Sequence, residues 1–331
     1  MESNSTPLVS LITPCYNGEV FLDRFLKSLL DQDYLNVEIF FVDDGSNDRT
    51  KAKAMSYRKP LEDKGYRFTY IYQTNQGQAA ALNQALPLIK GKYLICPDSD
   101  DVMYKDSISE RVRFLETHPS CGLVIAPSDL IDEESQQRIG LSERIDAKEE
   151  ENIFGDVLFV RNVAIYSTYM FRTSSLLPHL KGGQIYAGRQ GQNWQLILPI
   201  AYEMDCGYIN RPLGAYYVRQ QSHSHSVRGY QKSIERADGL EAIILNTFET
   251  IAWKSEEEKA DYTKRVKTKY ERERCHLHAH YLQRNKLVES LRWLKENDKL
   301  TRKEKLLRFL SRNNLYFFAL KAVIKFRSRR K

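Results

Sequence analysis

The segment Cys96-Pro97-Asp98-Ser99-Asp100-Asp101 places three carboxylates within four residues, directly after the apolar run Tyr93-Leu94-Ile95-Cys96. Carboxylates this close repel one another and lose hydration together, so such a cluster is usually neutralised by a cation or by backbone donors. Two readings follow: a site for a hard ion, Mg²⁺ or Mn²⁺, or an acidic turn whose side chains cap the next helix. The neighbouring elements decide how much weight the first reading carries.

Apolar runs at Val9 to Ile12, Val37 to Val42, Phe68 to Tyr72 and Tyr93 to Cys96 read as strands, the second so continuously apolar that both its faces should be buried. Helical segments lie between them, at Glu19 to Asp31, Asp48 to Asp63 and Gln78 to Ile89. This alternation predicts an α/β fold in which parallel strands are joined by right-handed crossovers, with ligands bound at the carboxyl edge of the sheet. The four strands end in Thr13-Pro14-Cys15-Tyr16-Asn17-Gly18, Asp43-Asp44-Gly45-Ser46, Gln73-Thr74-Asn75-Gln76-Gly77 and the acidic cluster. Each ending alone makes an ordinary turn. Four on one edge predict a shared binding crevice. The chain has no Gly-x-Gly-x-x-Gly after the first strand and no Gly-x-x-x-x-Gly-Lys-Ser/Thr, which argues against a dinucleotide dehydrogenase and a P-loop kinase.

The series Val9 to Asn17, Phe41 to Thr50, Asn75 to Asn83 and Asp98-Ser99-Asp100-Asp101 resembles the family 2 glycosyltransferases of GT-A fold, in particular bacterial cell-surface polysaccharide and O-antigen sugar transferases. The resemblance covers roughly residues 7 to 225. It implies a Rossmann-like, mostly parallel sheet flanked by helices, and transfer of one sugar from a UDP-sugar to an acceptor hydroxyl with inversion. By position, Asp43 is implied at the uracil N–H, Thr13 and Tyr16 flank the nucleotide, and Asn75 lies on the nucleotide-sugar side. Asp100 and Asp101 match the ribose and metal carboxylates, with Asp98 as a supporting one. Arg219 and the run Ser222-His223-Ser224-His225-Ser226 stand where the family places an Arg, a His and a Ser; Arg219 is implied at the diphosphate, and His223 or His225 at the metal. A flexible polar loop is the plainer reading of these histidines.

Inverting transfer needs a base across the sugar from the leaving group, where the family supplies Asp or Glu. Here the matching stretch Gly188 to Gln195 carries Gln192 and Asn193, amides that bind an acceptor but do not take its proton near neutral pH. Asp129, Glu203 and Asp205 are the candidate bases, in that order. A non-catalytic nucleotide-sugar-binding subunit and a nucleotidyltransferase are the competing functions. A nucleotidyltransferase usually shows a Gly-rich basic loop after the first strand, where this chain has Cys15-Tyr16-Asn17-Gly18. Gln190-x-x-Asn193-Trp194 also resembles the Gln-x-x-Arg-Trp motif of processive synthases, but no apolar run here approaches a membrane span, which favours single-sugar addition.

Beyond the site, the polar stretch Ser135 to Asn152 reads as an exposed excursion, and Phe154 to Phe171 as acceptor-side structure. The expected division is 1–228, the transferase domain, and 229–331, a basic helical region. From Lys254 to Lys331 the chain carries 24 Lys and Arg against 10 Asp and Glu, so a net charge of +7 conceals an acidic first part and a basic tail. Ser255 with Glu258, and Thr301 with Glu304, are capping boxes that mark helix starts. Cys275, His276, His278 and His280 read as a solvated helix face rather than a metal site. In Leu315 to Lys331, Lys321, Lys325 and Arg329 form a basic stripe beside Tyr316, Phe317, Phe318, Leu320, Val323, Ile324 and Phe326, which suits an anionic membrane surface. A cytoplasmic protein, peripheral on the inner membrane face and meeting a lipid-diphosphate-linked acceptor, is therefore expected. No nucleic-acid module is present to suggest RNA or DNA as partner. Five scattered cysteines argue for reduced thiols.

Overall fold

The computed structural model describes residues 6–142, 150–151, 153–160, 169–189, 191–219, 229–312 and 318. The first four expected strands are β1 (Val9–Cys15), β2 (Val37–Asp44), β3 (Arg67–Gln73) and β4 (Tyr93–Ile95). They lie side by side and parallel: β1 pairs with β2 and β4, and β2 with β3. Every residue of β1 and β2 is buried, as their unbroken apolar runs require of a strand covered on both faces.

The crossovers are helical. In α1 (Leu22–Leu30), Leu22, Phe25, Leu26 and Leu29 form the buried stripe. Asp48 to Asp63 forms two helices, α2 (Thr50–Ser56) and α3 (Arg58–Asp63), and α4 (Gln78–Ala85) passes into a 3₁₀ turn at Leu86–Leu88. Pro87 in that turn, which lacks an N–H to donate, ends the helix early.

Beyond β4 come β5 (Val102–Met103), α5 (Ser107–Thr117), β6 (Cys121–Ile125), β7 (Asp129–Asp132), β8 (Arg138–Leu141) and β9 (Glu150–Glu151). They are followed by α6 (Phe154–Phe159), β10 (Tyr169–Arg172), α7 (Thr173–Leu176), α8 (Gln192–Glu203), β11 (Asp205–Tyr208) and β12 (Gly214–Val218). The main sheet runs β3-β2-β1-β4-β10-β6-β11-β9, and a smaller one runs β5-β12-β7-β8. Strand β10 is antiparallel to both β4 and β6, so β6 points the same way as β1 to β4.

Two expectations change here. Part of the polar excursion is paired strand: β8 lines up antiparallel to β7, and β9 edges β11. Charged residues suit such edges, where one side of the strand meets water. Tyr169 to Phe171, expected on the acceptor side, are buried inside the main sheet.

The chain divides into two compact units, Met1–Ser222 with Asn246–Ala252, and His223–Leu245 with Trp253–Lys331. The stretch 246–252 thus belongs with the first unit rather than with everything after residue 228. The later helices are α9 (Tyr230–Phe248), α10 (Glu256–His280), α11 (Arg284–Asn297) and α12 (Arg302–Arg312). Ser255 Oγ accepts the Glu258 N–H at 3.1 Å, and Thr301 and Glu304 exchange side-chain-to-backbone bonds at 2.7 and 3.2 Å, as the capping-box spacing predicted. The expected solvated face on α10 is largely buried: Cys275 and His278 are inside, with His278 Nδ1 3.1 Å from Tyr230 Oη, and only His280 is exposed. Among the described residues no helix is long and apolar enough to cross a membrane.

Candidate functional site

The loops that follow β1 and β2 are tied together by reciprocal hydrogen bonds. Asn17 N–H donates to Ser46 Oγ at 2.9 Å, and Asn47 N–H returns a bond to Asn17 Oδ1 at 3.0 Å. Gly18 N–H donates to Thr50 Oγ1 at 2.8 Å, and Glu19 N–H to Asp48 Oδ2 at 3.1 Å.

Asp43, at the end of β2, is buried; its carboxylate accepts Ser46 N–H at 2.8 Å and Tyr70 O–H at 2.6 Å. Burial, and then this bond to Asp43, push the Tyr70 hydroxyl pKa up, so Tyr70 stays a donor. Asp44 does a separate job. Its carboxylate accepts Gln73 Nε2 at 2.6 Å, Gln76 N–H at 2.9 Å and Gly77 N–H at 2.9 Å, and so folds the third strand's ending onto the second. Gly45 completes this join: its φ is +78°, and a Cβ there would come within 2.6 Å of the Asn75 nitrogen.

The acidic loop is reached from two sides. Gln78 Nε2 donates to Asp98 Oδ1 at 3.3 Å, and Gln192 Nε2, in the first turn of α8, donates to Gln78 Oε1 at 2.6 Å. Arg189 reaches Asn75 Oδ1 at 3.4 Å. The amide stretch therefore arrives at the edge that carries the acidic loop, with Asn193 beside Gln192 in the opening turn of α8. From the other side, the Arg219 guanidinium pairs with the Asp100 carboxylate. Thr13 is fully buried, with Oγ1 lacking a hydrogen-bond partner, and Tyr16 is exposed at the end of β1.

Of the candidate bases, Asp129 follows the carboxyl end of β6, on the same edge as the other endings, and accepts Tyr104 O–H at 2.6 Å and Arg138 Nε–H at 2.5 Å. Glu203 is corrected: it ends the 12-residue α8 that Gln192 begins, about 16 Å of helix away, and is bonded to Ala252 N–H at 3.0 Å. Asp205 begins β11, which runs parallel to β6, and so lies at the opposite edge of the sheet.

Sequence reasoning missed Asp44, Arg24 and Glu133. Arg24 donates from Nε to the Asp100 carbonyl at 2.9 Å and makes a two-pronged pair with Glu133 at 2.7 and 2.9 Å.

Hard oxygen donors are what Mg²⁺ or Mn²⁺ requires, and Asp98 and Asp101 lie in one tight turn, with Asp101 N–H on the Asp98 carbonyl at 3.3 Å. Among the described residues no three His, Cys, Asp or Glu side chains converge as a cage. Two carboxylates on one turn are oxygen donors of the kind Mg²⁺ takes in pairs alongside other ligands. His223 and His225 lie outside the described residues.

Parallel strands whose carboxyl ends carry these polar loops, continued through an antiparallel β10, define a GT-A-type α/β fold. The structure resembles S. aureus TarS 1-349 in complex with UDP-GlcNAc, with a TM-score of 0.63 at 16% identity over 98% of this chain and 92% of that one. It also resembles the mannosyltransferase PcManGT of Pyrobaculum calidifontis in complex with GDP-Man and Mn²⁺, with a TM-score of 0.54 at 15% identity over 96% of this chain and 87% of that one.

Residues 10–171 match the model of glycosyl transferase family 2. An uncharacterized glycosyltransferase of Rickettsia prowazekii is 36% identical over 131 residues, 39% of each chain. TuaG of Bacillus subtilis, named for teichuronic acid biosynthesis, is 37% identical over 114 residues, 34% of this chain and 44% of its own length. The chain thus spans about two fifths of the length of these relatives.

Proposed function

We propose that the protein transfers a single hexose or N-acetylhexosamine from a UDP-sugar to a sugar acceptor, with inversion. The observation that carries this reading is the single edge on which Asp43, Asn75, Asp98, Asp100, Asp101, Gln192 and Arg219 meet. Asp43 receives the uracil N–H, while Thr13 and Tyr16 flank the base. Asp100 lies at the ribose. Asp98 and Asp101, with His223 or His225, would hold a divalent cation, which would supply charge stabilisation for the leaving diphosphate. Arg219 adds a fixed positive charge there. Gln192 and Asn193 orient the acceptor hydroxyl, and Asp129 is the carboxylate we assign to its proton.

TarS, solved with UDP-GlcNAc and with UDP, supports a UDP-sugar donor; the Mn²⁺ bound to PcManGT supports a divalent cofactor; TuaG supports a cell-surface polymer as product. The basic tail supports docking on the cytoplasmic face of an anionic membrane, where a lipid-diphosphate-linked acceptor would be met. The amides at Gln192 and Asn193 favour one second reading, a subunit that binds nucleotide sugar without turnover.

The test is UDP release from a panel of UDP-sugars with and without Mn²⁺, comparing the native chain with Asp101→Ala and using a membrane lipid extract as acceptor source. Release that needs Mn²⁺, Asp101 and the extract is expected. Tight, metal-dependent UDP binding with no release from any donor would replace the transferase with the non-catalytic subunit.

A further inference from the structure

Arg24 and Glu133 come from distant parts of the sequence, yet both converge on the acidic loop. Arg24, on α1, donates to the main-chain carbonyl of Asp100 at 2.9 Å and grips both carboxylate oxygens of Glu133. Glu133 Oε2 in turn lies 3.9 Å from Arg219 Nε, while the far end of Arg219 pairs with the Asp100 carboxylate. Each guanidinium group lies over an aromatic ring: Arg24 is 3.6 Å from the centre of Tyr217, and Arg219 is 3.9 Å from that of Phe21. Lysine can also sit over a ring, but the planar two-pronged pair with Glu133 is open to arginine and not to lysine.

The cluster is balanced, with two guanidinium groups against two carboxylates. Arg219 is its adjustable member, because its buried Nε has no hydrogen-bond partner and its only short ion pair among the described residues is to Asp100. A diphosphate arriving at this edge competes with Asp100 for Arg219, and a cation on Asp98 and Asp101, which flank Asp100 in the same loop, weakens the pull of Asp100 on Arg219.

We propose that Arg24 and Glu133 are positioning residues that couple the two ligands: Arg24 fixes the main chain of the acidic loop, and Glu133 holds Arg219 between Asp100 and the donor's diphosphate. Binding of the divalent cation thereby makes Arg219 available to the nucleotide. The identity of the ligands rests on the transferase reading, while the coupling rests on these four side chains.

The experiment measures the dissociation constant of UDP by calorimetry, with and without Mn²⁺, for the native chain and for Glu133→Gln, Arg24→Lys and the double variant, with thermal unfolding of each. The native protein should bind UDP more tightly in Mn²⁺. Glu133→Gln should reduce that enhancement about tenfold, a size usual for site-to-site coupling, while changing metal-free affinity much less. Arg24→Lys should act in the same direction, and the double variant should be no worse than the more damaging single one, since the two residues form one unit. Glu133→Asp should recover part of the enhancement. Native enhancement retained in all variants would overturn the proposal, as would equal weakening with and without Mn²⁺ in step with lost thermal stability. Failure of the native chain to bind UDP in either condition would instead remove the nucleotide-sugar reading itself, and this coupling with it.

Discussion

At the scale of single residues, the adjacent carboxylates Asp43 and Asp44 show how neighbours in sequence take different work. Both are buried, but successive strand residues face opposite ways. Asp43 meets Tyr70 and its own turn, while Asp44 meets Gln73, Gln76 and Gly77. Replacing Asp44 with alanine removes the acceptor of three donors at once, the buried Gln73 side chain and the N–H groups of Gln76 and Gly77. The cost should be about 2–4 kcal/mol, read as a lower urea midpoint with unchanged slope. The pattern Asp-Asp-Gly-Ser marked this corner, and the family resemblance gave a role to Asp43 but none to Asp44. Arg24 and Glu133 were less legible still. Arg24 stands on an ordinary amphipathic helix and Glu133 in a polar turn, and only the folded sheet brings them together across 109 residues. The amides at Gln192 and Asn193, by contrast, were read from their position in the motif series, and Gln192 does meet the acidic loop through Gln78.

At the scale of elements, the long buried strands and their polar endings were plain in the sequence because period and turn chemistry agreed there. Strand β8 was hidden because four residues, Arg138 to Leu141, are too few for alternation to stand out from a charged surrounding. The loop carrying Asp48 illustrates how an element's start is fixed. Burial raises the Asp48 pKa, but bonds from the Thr50 hydroxyl and N–H and the Glu19 N–H outweigh it, and the carboxyl ends below its ordinary value. A carboxyl depressed in the folded state contributes stability that is fully present above its unfolded value, near pH 4, and is lost as pH falls through the folded value. Asp48→Asn should therefore cost about 1 kcal/mol at pH 7. In urea titrations the gap between variant and native should narrow as the pH drops below about 4. A gap of constant size across that range would mean that the charge of Asp48 contributes nothing.

At the scale of the whole molecule, the uneven distribution of charge is the clearest sequence feature, and the structure adds a face to it. On α12, Leu306 is 56% and Phe309 58% exposed, with Arg302, Lys305 and Arg312 exposed on the same helix. A helix of this kind lies flat in the headgroup layer of anionic bilayers. The segment Leu315 to Lys331 carries the same mixture in sequence, although apart from Phe318, exposed and helical, it lies outside the described residues. The full chain should sediment with phosphatidylserine-containing vesicles and be released by salt, as screening requires. A chain ending at Asn314 should bind more weakly, and Leu306→Glu should weaken it further. Equal sedimentation of all three would end the docking role of this region.

The stitching between the loops after β1 and β2 also bears on how the donor preference of such a protein can be changed. Asn17, Gly18 and Glu19 are matched partner for partner to Ser46, Asn47, Asp48, Arg49 and Thr50. An insertion in one loop throws several of these pairs out of step unless the other changes with it. On the proposed nucleotide-sugar reading, remodelling for a different nucleobase or sugar is open to point substitutions at exposed positions such as Tyr16, whereas exchange of either loop alone between relatives should yield misfolded hybrids.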